Sequence, residues 1–199
     1  MSTFRHIMVD LETMATTPDA LIWQIGACAF DPETGVVDDE CSFSMFPDPN
    51  GQQGRRIDAD TVAWWMRQPD EARLRFGDPD VHRVDLEFAL AELERWARFQ
   101  LVYRDADPFV WSHGAPFDLP ILKHAMAAAG LTPWWRHWHE RDTRTLFAAV
   151  RHATGQDVVI ERGDGIHHDA CDDTIAQARA VCRAWAAIQT NQAERESAA

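Results

Sequence analysis

Long apolar runs are missing from this chain of 199 residues. None approaches the roughly 20 residues that a membrane-spanning helix needs, and the first strand pattern begins too near the start to leave room for a signal peptide. Cysteine is scarce. Cys28, Cys41, Cys171 and Cys182 show no C-x-x-C spacing, which argues against a zinc site or a disulfide framework and leaves reduced thiols in a cytoplasmic protein as the expectation. Basic charge is short, with 19 Lys and Arg against 32 Asp and Glu and a formal net charge of −13. A protein that coats long stretches of nucleic acid needs a basic surface and is excluded; one that grips a few nucleotides at an end is not. The shortage is steepest in residues 1–50, where nine acidic residues face Arg5 alone, and Lys123 is the single lysine. Pro/Gly/Ser-rich linkers, internal repeats and low-complexity segments are also absent, so one domain is expected over residues 1–190, with a disordered tail over 191–199. What remains, 46% hydrophobic residues and nine tryptophans, is the composition of a globular protein large enough for a sizeable core.

The stretch around which the chain is organised is Arg5–Met14, R-H-I-M-V-D-L-E-T-M. Ile7, Val9 and Leu11 alternate with Met8, Asp10 and Glu12, the period of a strand with one apolar face. Residues two apart on a strand point the same way, roughly 6–7 Å from each other. Asp10 and Glu12 therefore project together from a strand that otherwise reads as core. Carboxylates held that close repel, and burying them unpaired is expensive. A divalent cation with oxygen ligands would resolve the conflict; an edge strand with a solvated acidic face is the alternative.

Further along, Leu21–Phe30 reads as a buried strand, Asp31–Gly35 as a turn and Val36–Phe46 as a third strand with Cys41, Phe43 and Met45 alternating, together an antiparallel meander. Helical periodicity starts after Asp58, a candidate N-cap, and restarts at Pro69 until Gly77. Asp85 precedes a longer helix with Leu86, Leu90, Leu93 and Ala97 on one stripe. Phe109–Trp111 forms a short strand, Asp118–Ala129 a helix ended by Gly130, and Arg141–Ala153 and Ala170–Ile188 the last two helices, separated by the loop Gly163–His168. The pattern predicts an α/β domain with a central mixed sheet flanked by helices.

Two later segments add chemistry. In S-H-G-A-P-F-D-L-P-I-L (112–122), Asp118 follows a strand at a helix start, where capping is its ordinary role. In H-H-D-A-C-D-D (167–173), His168 and Asp173 flank the start of the last helix, where the helix dipole favours acids in any case. Taken together and in order, V-D-L-E-T (9–13), F-D (117–118) and His168-x-Ala170-x-x-Asp173 resemble the three motifs of the DEDDh 3′–5′ exonuclease superfamily, over essentially the whole chain. The strings I-W-Q-I-G-A, D-A-D-T-V-A-W-W and R-D-T-R-T-L resemble its phage-type, exodeoxyribonuclease VIII-like branch.

That resemblance implies a ribonuclease H-like fold and a metal-dependent enzyme that releases nucleoside monophosphates from 3′ ends of nucleic acid, with DNA, single-stranded or frayed, preferred and RNA the alternative. It implies two divalent cations, Mg²⁺ or Mn²⁺, held by Asp10, Glu12, Asp118 and Asp173, with His168 as the general base on a loop able to close over substrate. Thr13, Met14, His113 and Phe117 are the implied substrate contacts. Met14 is the candidate wedge against terminal bases and equally a core residue; His113 stands where relatives often carry a small polar residue such as Asn. Trp64 and Trp65, adjacent on a helix, cannot both face inward. The stretch W-W-R-H-W-H-E-R-D-T-R (134–144) interleaves aromatic and basic residues as single-strand binding surfaces do, although core packing is the commoner use of Trp. No membrane partner is expected, and the assembly is a monomer or a homodimer. A silent binding module is disfavoured by the complete set of carboxylates and His. An HD-type phosphohydrolase is disfavoured by the three opening strands, and a serine hydrolase on Ser112-His113 by the want of a G-x-S-x-G elbow.

Overall fold

The computed structural model describes residues 4–78, 80–101, 107–163 and 165–197. Strands β1 (His6–Thr13), β2 (Ile22–Asp31) and β3 (Val36–Pro47) form the meander that alternation predicts. Helices α1 (Ala59–Trp65) and α2 (Asp70–Gly77) follow, then a two-residue strand β4 (Arg83–Val84) and α3 (Leu86–Gln100). Strand β5 (Phe109–Ser112) leads into α4 (Ala115–Ala128), and β6 (Glu140–Asp142) into α5 (Thr143–Thr154). The last element is α6 (Ala170–Ser197). The sheet order is β4-β3-β2-β1-β5-β6. β1, β2 and β3 pair antiparallel, whereas β5 joins β1, and β6 joins β5, in parallel. The sheet is therefore mixed, with β1 inside it.

The two faces of β1 feed two cores. Ile7, Val9 and Leu11 pack with Leu90 and Leu93 of α3 and Leu119 and Leu122 of α4. Met8, on the opposite face, packs with Cys28, Phe30 and Trp111 against Ala178 and Val181 of α6. Asp10 and Glu12 lie farther along that second face, toward the end of the strand where this core stops. Among the described residues no helix is long and apolar enough to cross a membrane.

Several elements differ from the pattern read in the sequence. β6 is made of Glu-Arg-Asp and carries no apolar alternation; its backbone pairing with β5 makes it a strand. α4 begins three residues before Asp118, at Ala115, with Pro116 in its first turn and Gly114 (φ 116°) preceding it. Asp118 thus lies inside the helix, and its carboxylate is free for a tertiary role instead of a cap. Neither Asp58 nor Asp85 caps its helix through the side chain. α6 runs on past residue 190 to Ser197 as an exposed helical end where a tail was expected; residues 198–199 lie outside the described residues. Of the tryptophan pairs, Trp134 and Trp135 are both core, whereas Trp65 is buried and Trp64 is 38% exposed.

Candidate active site

The site is built where α6 meets β1 and β2. Asp10 pairs across the ladder with Gly26 of β2. A Cβ on Gly26 would lie 2.2 Å from the carbonyl carbon and oxygen of Ala170. No side chain fits there, so the first turn of α6 rests directly on the strand beside Asp10. Asp169 ends the preceding loop. Its Oδ1 accepts from the amides of Cys171 (3.0 Å) and Asp172 (3.1 Å), an N-cap arrangement. Its Oδ2 accepts from Gln24 Nε2 at 3.0 Å and pairs with Arg75. Gln24, opposite Glu12 in β2, also accepts from the Ala170 amide through Oε1 at 3.1 Å. These bonds fix the start of α6, and with it Asp173, above β1.

In the result, one carboxylate oxygen from each of Asp10, Glu12 and Asp173 lies within 4.8 Å of the other two. Asp118 approaches from α4, its Oδ1 accepting from the Leu11 amide at 3.2 Å. Burial, and then the neighbouring Asp173, push the Asp10 carboxyl up to about 7. Burial followed by Asp10 holds Glu12 and Asp118 well above the carboxylate range. Protein donors offset part of the repulsion: Gln177 Nε2 donates to Asp10 at 2.9 Å and Arg162 Nε to Asp173 at 2.8 Å. Four clustered acids with no thiolate among them are a ligand set for a hard, oxygen-seeking cation. The residues present therefore fit the divalent ions that the motifs imply.

His168 stands beside this cluster, with φ of +62°, the one positive value among the described non-glycine residues. Such a backbone is costly for a residue with a side chain and is held in place only where surrounding contacts enforce it. Here the imidazole lies 4.8 Å from the ring of Trp64 and 5.6 Å from that of Trp65, and it comes within 4.8 Å of Asp173. Burial, and then His167, lower its pKa to about 4. At neutral pH it is an uncharged proton acceptor.

A cavity of about 680 Å³ opens next to the carboxylates, lined by Glu12, Thr13, Asp58, Thr61, Trp64 and Phe117 among others. Thr13 and Phe117, two of the residues read as substrate contacts, line this cavity. Met14 does not line the cavity. The register of β1 shifts between Glu12 and Thr13, and Met14 packs instead with Leu21, Trp65 and Ala72 in the core behind the cavity wall. His113 also stands apart, bonded through Nδ1 to Thr143 Oγ1 at 2.7 Å, its pKa lowered by burial and Arg144. Three participants escape a motif reading. Gln177 had a signal: it is four residues after Asp173 and so on the same helix face. Arg162, in an aperiodic loop, had none. Trp64 was legible only as the partner of a buried Trp65.

Residues 5–185 match the family described as the 3′-5′ exoribonuclease Rv2179c-like domain. The chain is 27% identical over 168 residues to the exodeoxyribonuclease of Enterobacteria phage T4, covering 72% of this chain and 70% of that one. Among solved structures, cell-death related nuclease 4 (CRN-4) superposes with a TM-score of 0.63 at 13% identity over 92% of this chain; the chain spans 64% of that protein's length. The nuclease domain of 3′hExo, a DEDDh family member bound to rAMP, gives a TM-score of 0.57 at 14% identity with 92% of each chain covered. The fold is thus that of the ribonuclease H-like DEDDh exonucleases.

Proposed function

This chain belongs to the Rv2179c-like 3′-5′ exoribonuclease domain family, and on that premise we propose that it is a two-metal 3′-to-5′ exonuclease releasing nucleoside monophosphates, with DNA ends preferred. The observation that carries the reading is the meeting of Asp10, Glu12 and Asp173 within 4.8 Å beside a neutral, strained His168. Asp10, Glu12 and Asp173, with Asp118 alongside, would hold the ions, which supply water acidification and charge stabilisation at the phosphodiester oxygens. His168 takes the proton of the attacking water, because its imidazole is unprotonated at neutral pH and faces Asp173. Trp64 offers a partly exposed ring to the terminal base, with Phe117 on the cavity wall. Asp58 and Asp60, with Glu12, make that cavity acidic, which suits a free 3′ hydroxyl and rejects a 3′ phosphate.

The DNA preference, and with it the phage-type branch, is supported by the likeness to the T4 exodeoxyribonuclease. The second reading, trimming of RNA ends, is supported by the family description itself. Matched DNA and RNA oligonucleotides decide between them. On DNA a 5′-labelled strand should shorten into a descending ladder while a 3′ label appears at once as mononucleotide. A 3′ phosphate should slow the reaction sharply, and circular strands should survive. Faster digestion of the RNA strand would assign the enzyme to RNA; cutting of the circle would overturn the exonuclease reading.

A further inference from the structure

A second cavity, of about 550 Å³, lies at the β6 edge of the sheet, away from the carboxylates. Its walls are aromatic: His6, Phe109 and Trp111 from β1 and β5, and Trp185 from α6. The Arg141 guanidinium stands 4.6 Å from the centre of the Phe109 ring, a cation–π contact at the cavity wall. Between this cavity and the first lies a shallow depression formed by Gly114, Pro116 and Arg144. It shares Phe117 with the active-site cavity, and Asp142 and Thr145 with the aromatic one. The three hollows thus adjoin through shared wall residues, and their line, a track across the surface, starts beside Glu12.

We propose that this track carries the nucleic-acid strand upstream of the cleaved phosphate, with a base seated against Trp185 in the second cavity and a phosphate held by Arg144. The proposal rests on the exonuclease reading above and adds a subsite to it. The net charge of −13 does not exclude a local phosphate contact midway along the track, because the acids there have hydrogen-bond partners and one cation is exposed. Asp142 is occupied, accepting from the amides of Ala115 (2.7 Å) and Thr145 (2.9 Å). Glu140 is occupied by Lys123 Nζ (2.8 Å) and Trp135 Nε1 (3.1 Å). Arg144, by contrast, is exposed; its Nε donates to His113 Nε2 at 3.4 Å, and it forms no close ion pair among the described residues, although the Asp142 carboxylate lies near enough to feel its charge. Gly114 leaves room for it: a Cβ there would come 3.2 Å from its Nη1. Aromatic side chains beside an exposed guanidinium group suit a sequence-indifferent single-strand groove.

The track predicts that a dinucleotide is too short to fill both ends. Steady-state hydrolysis of a dinucleotide and of a single-stranded 20-mer, with wild type, Arg144→Ala and Trp185→Ala, tests this. Wild type should favour the 20-mer through KM. Trp185→Ala should cut that preference by about 5- to 150-fold, the range expected for one stacked base. Arg144→Ala should flatten the slope of log KM against log salt by about 0.7, one phosphate contact on a single strand. Should Trp185→Ala fail to fold, the salt slope of the exposed Arg144→Ala carries the test alone. Equal KM for both substrates in wild type, or an unchanged salt slope in Arg144→Ala, would overturn the track while leaving the exonuclease reading standing. Hydrolysis of neither substrate by wild type would remove that reading and the track with it.

Discussion

At the scale of single residues, Asp10 is asked to be an anion among anions. Gln177 gives it one hydrogen bond, while burial and Asp173 drive its carboxyl up to about 7. Asp10→Asn removes the charge and leaves an acceptor for Gln177. Without metal, the variant should be more stable than wild type at pH 8, by about 1–4 kcal/mol given 1.36 kcal/mol per pKa unit, and it should lose activity and metal-induced stabilisation; chemical denaturation in EDTA measures the first. His168 makes a different prediction. His168→Ala should keep its metal-induced stabilisation and lose about 10²- to 10⁴-fold in rate, as a general base does. Since its imidazole stays neutral down to about pH 4, the loss of rate on acidification should come from protonation of the carboxylates, whose proton affinity is raised. Protons and metal then compete. The acid limb of the pH–rate profile should move to lower pH as Mg²⁺ is raised, whereas a limb fixed near pH 6.5 would assign it to an ordinary histidine.

At the scale of elements, the site depends on how closely α6 can approach β2. Gly26→Ala puts a methyl group where the Ala170 carbonyl lies, and backbone cannot turn aside as a side chain can. The helix start must shift, taking Asp173 and His168 with it. A destabilisation of about 1–3 kcal/mol, the usual effect of overpacking, should accompany a loss of metal affinity, both read from thermal melts with and without Mn²⁺. This contact also shows what was legible beforehand. β1 declared itself, because strict alternation placed Asp10 and Glu12 on one face, and the meander followed from two further alternating runs and a turn. The site's carboxylates and His168 were legible through motif order. The closeness of α6 to Gly26 was not, since a glycine in an apolar strand announces no particular neighbour. β6 stayed hidden because three charged residues become a strand only through the partner they pair with. Asp118 looked like a cap because the start of α4 is set by Pro116 and Gly114, and one-residue arguments place such boundaries poorly.

At the scale of the whole molecule, the excess of negative charge and the buried carboxylates make stability depend on pH and on divalent ions. Asp10, Glu12 and Asp118 have raised pKa values, so between the unfolded carboxylate range and about pH 7 the native state binds more protons than the unfolded chain. Stability from these groups therefore falls as pH rises through that window. His6 and His168, both lowered to about 4, work in the opposite direction up to the ordinary histidine value of 6.5, because there the unfolded chain binds the extra proton. Above 6.5 the histidine contribution is flat and the carboxylate decline is left uncovered. In EDTA the melting temperature should thus fall as pH is raised from about 6.5 to 7.5; saturating Mg²⁺ should raise it and remove the slope, as a ligand of the native state does. Beneath all of this, repulsion among four clustered acids, three of them buried, is held in place for divalent ions. Calorimetric titration of Mn²⁺ into the protein at about pH 6.5, repeated in buffers of different ionisation enthalpy, tests it most directly, because ions that displace protons must release them. Saturable binding is expected, with about one proton or more released per chain, shrinking at higher pH and lost in Asp10→Asn; absence of binding, or binding at pH 6.5 with no proton released, would contradict a site held ready for divalent ions.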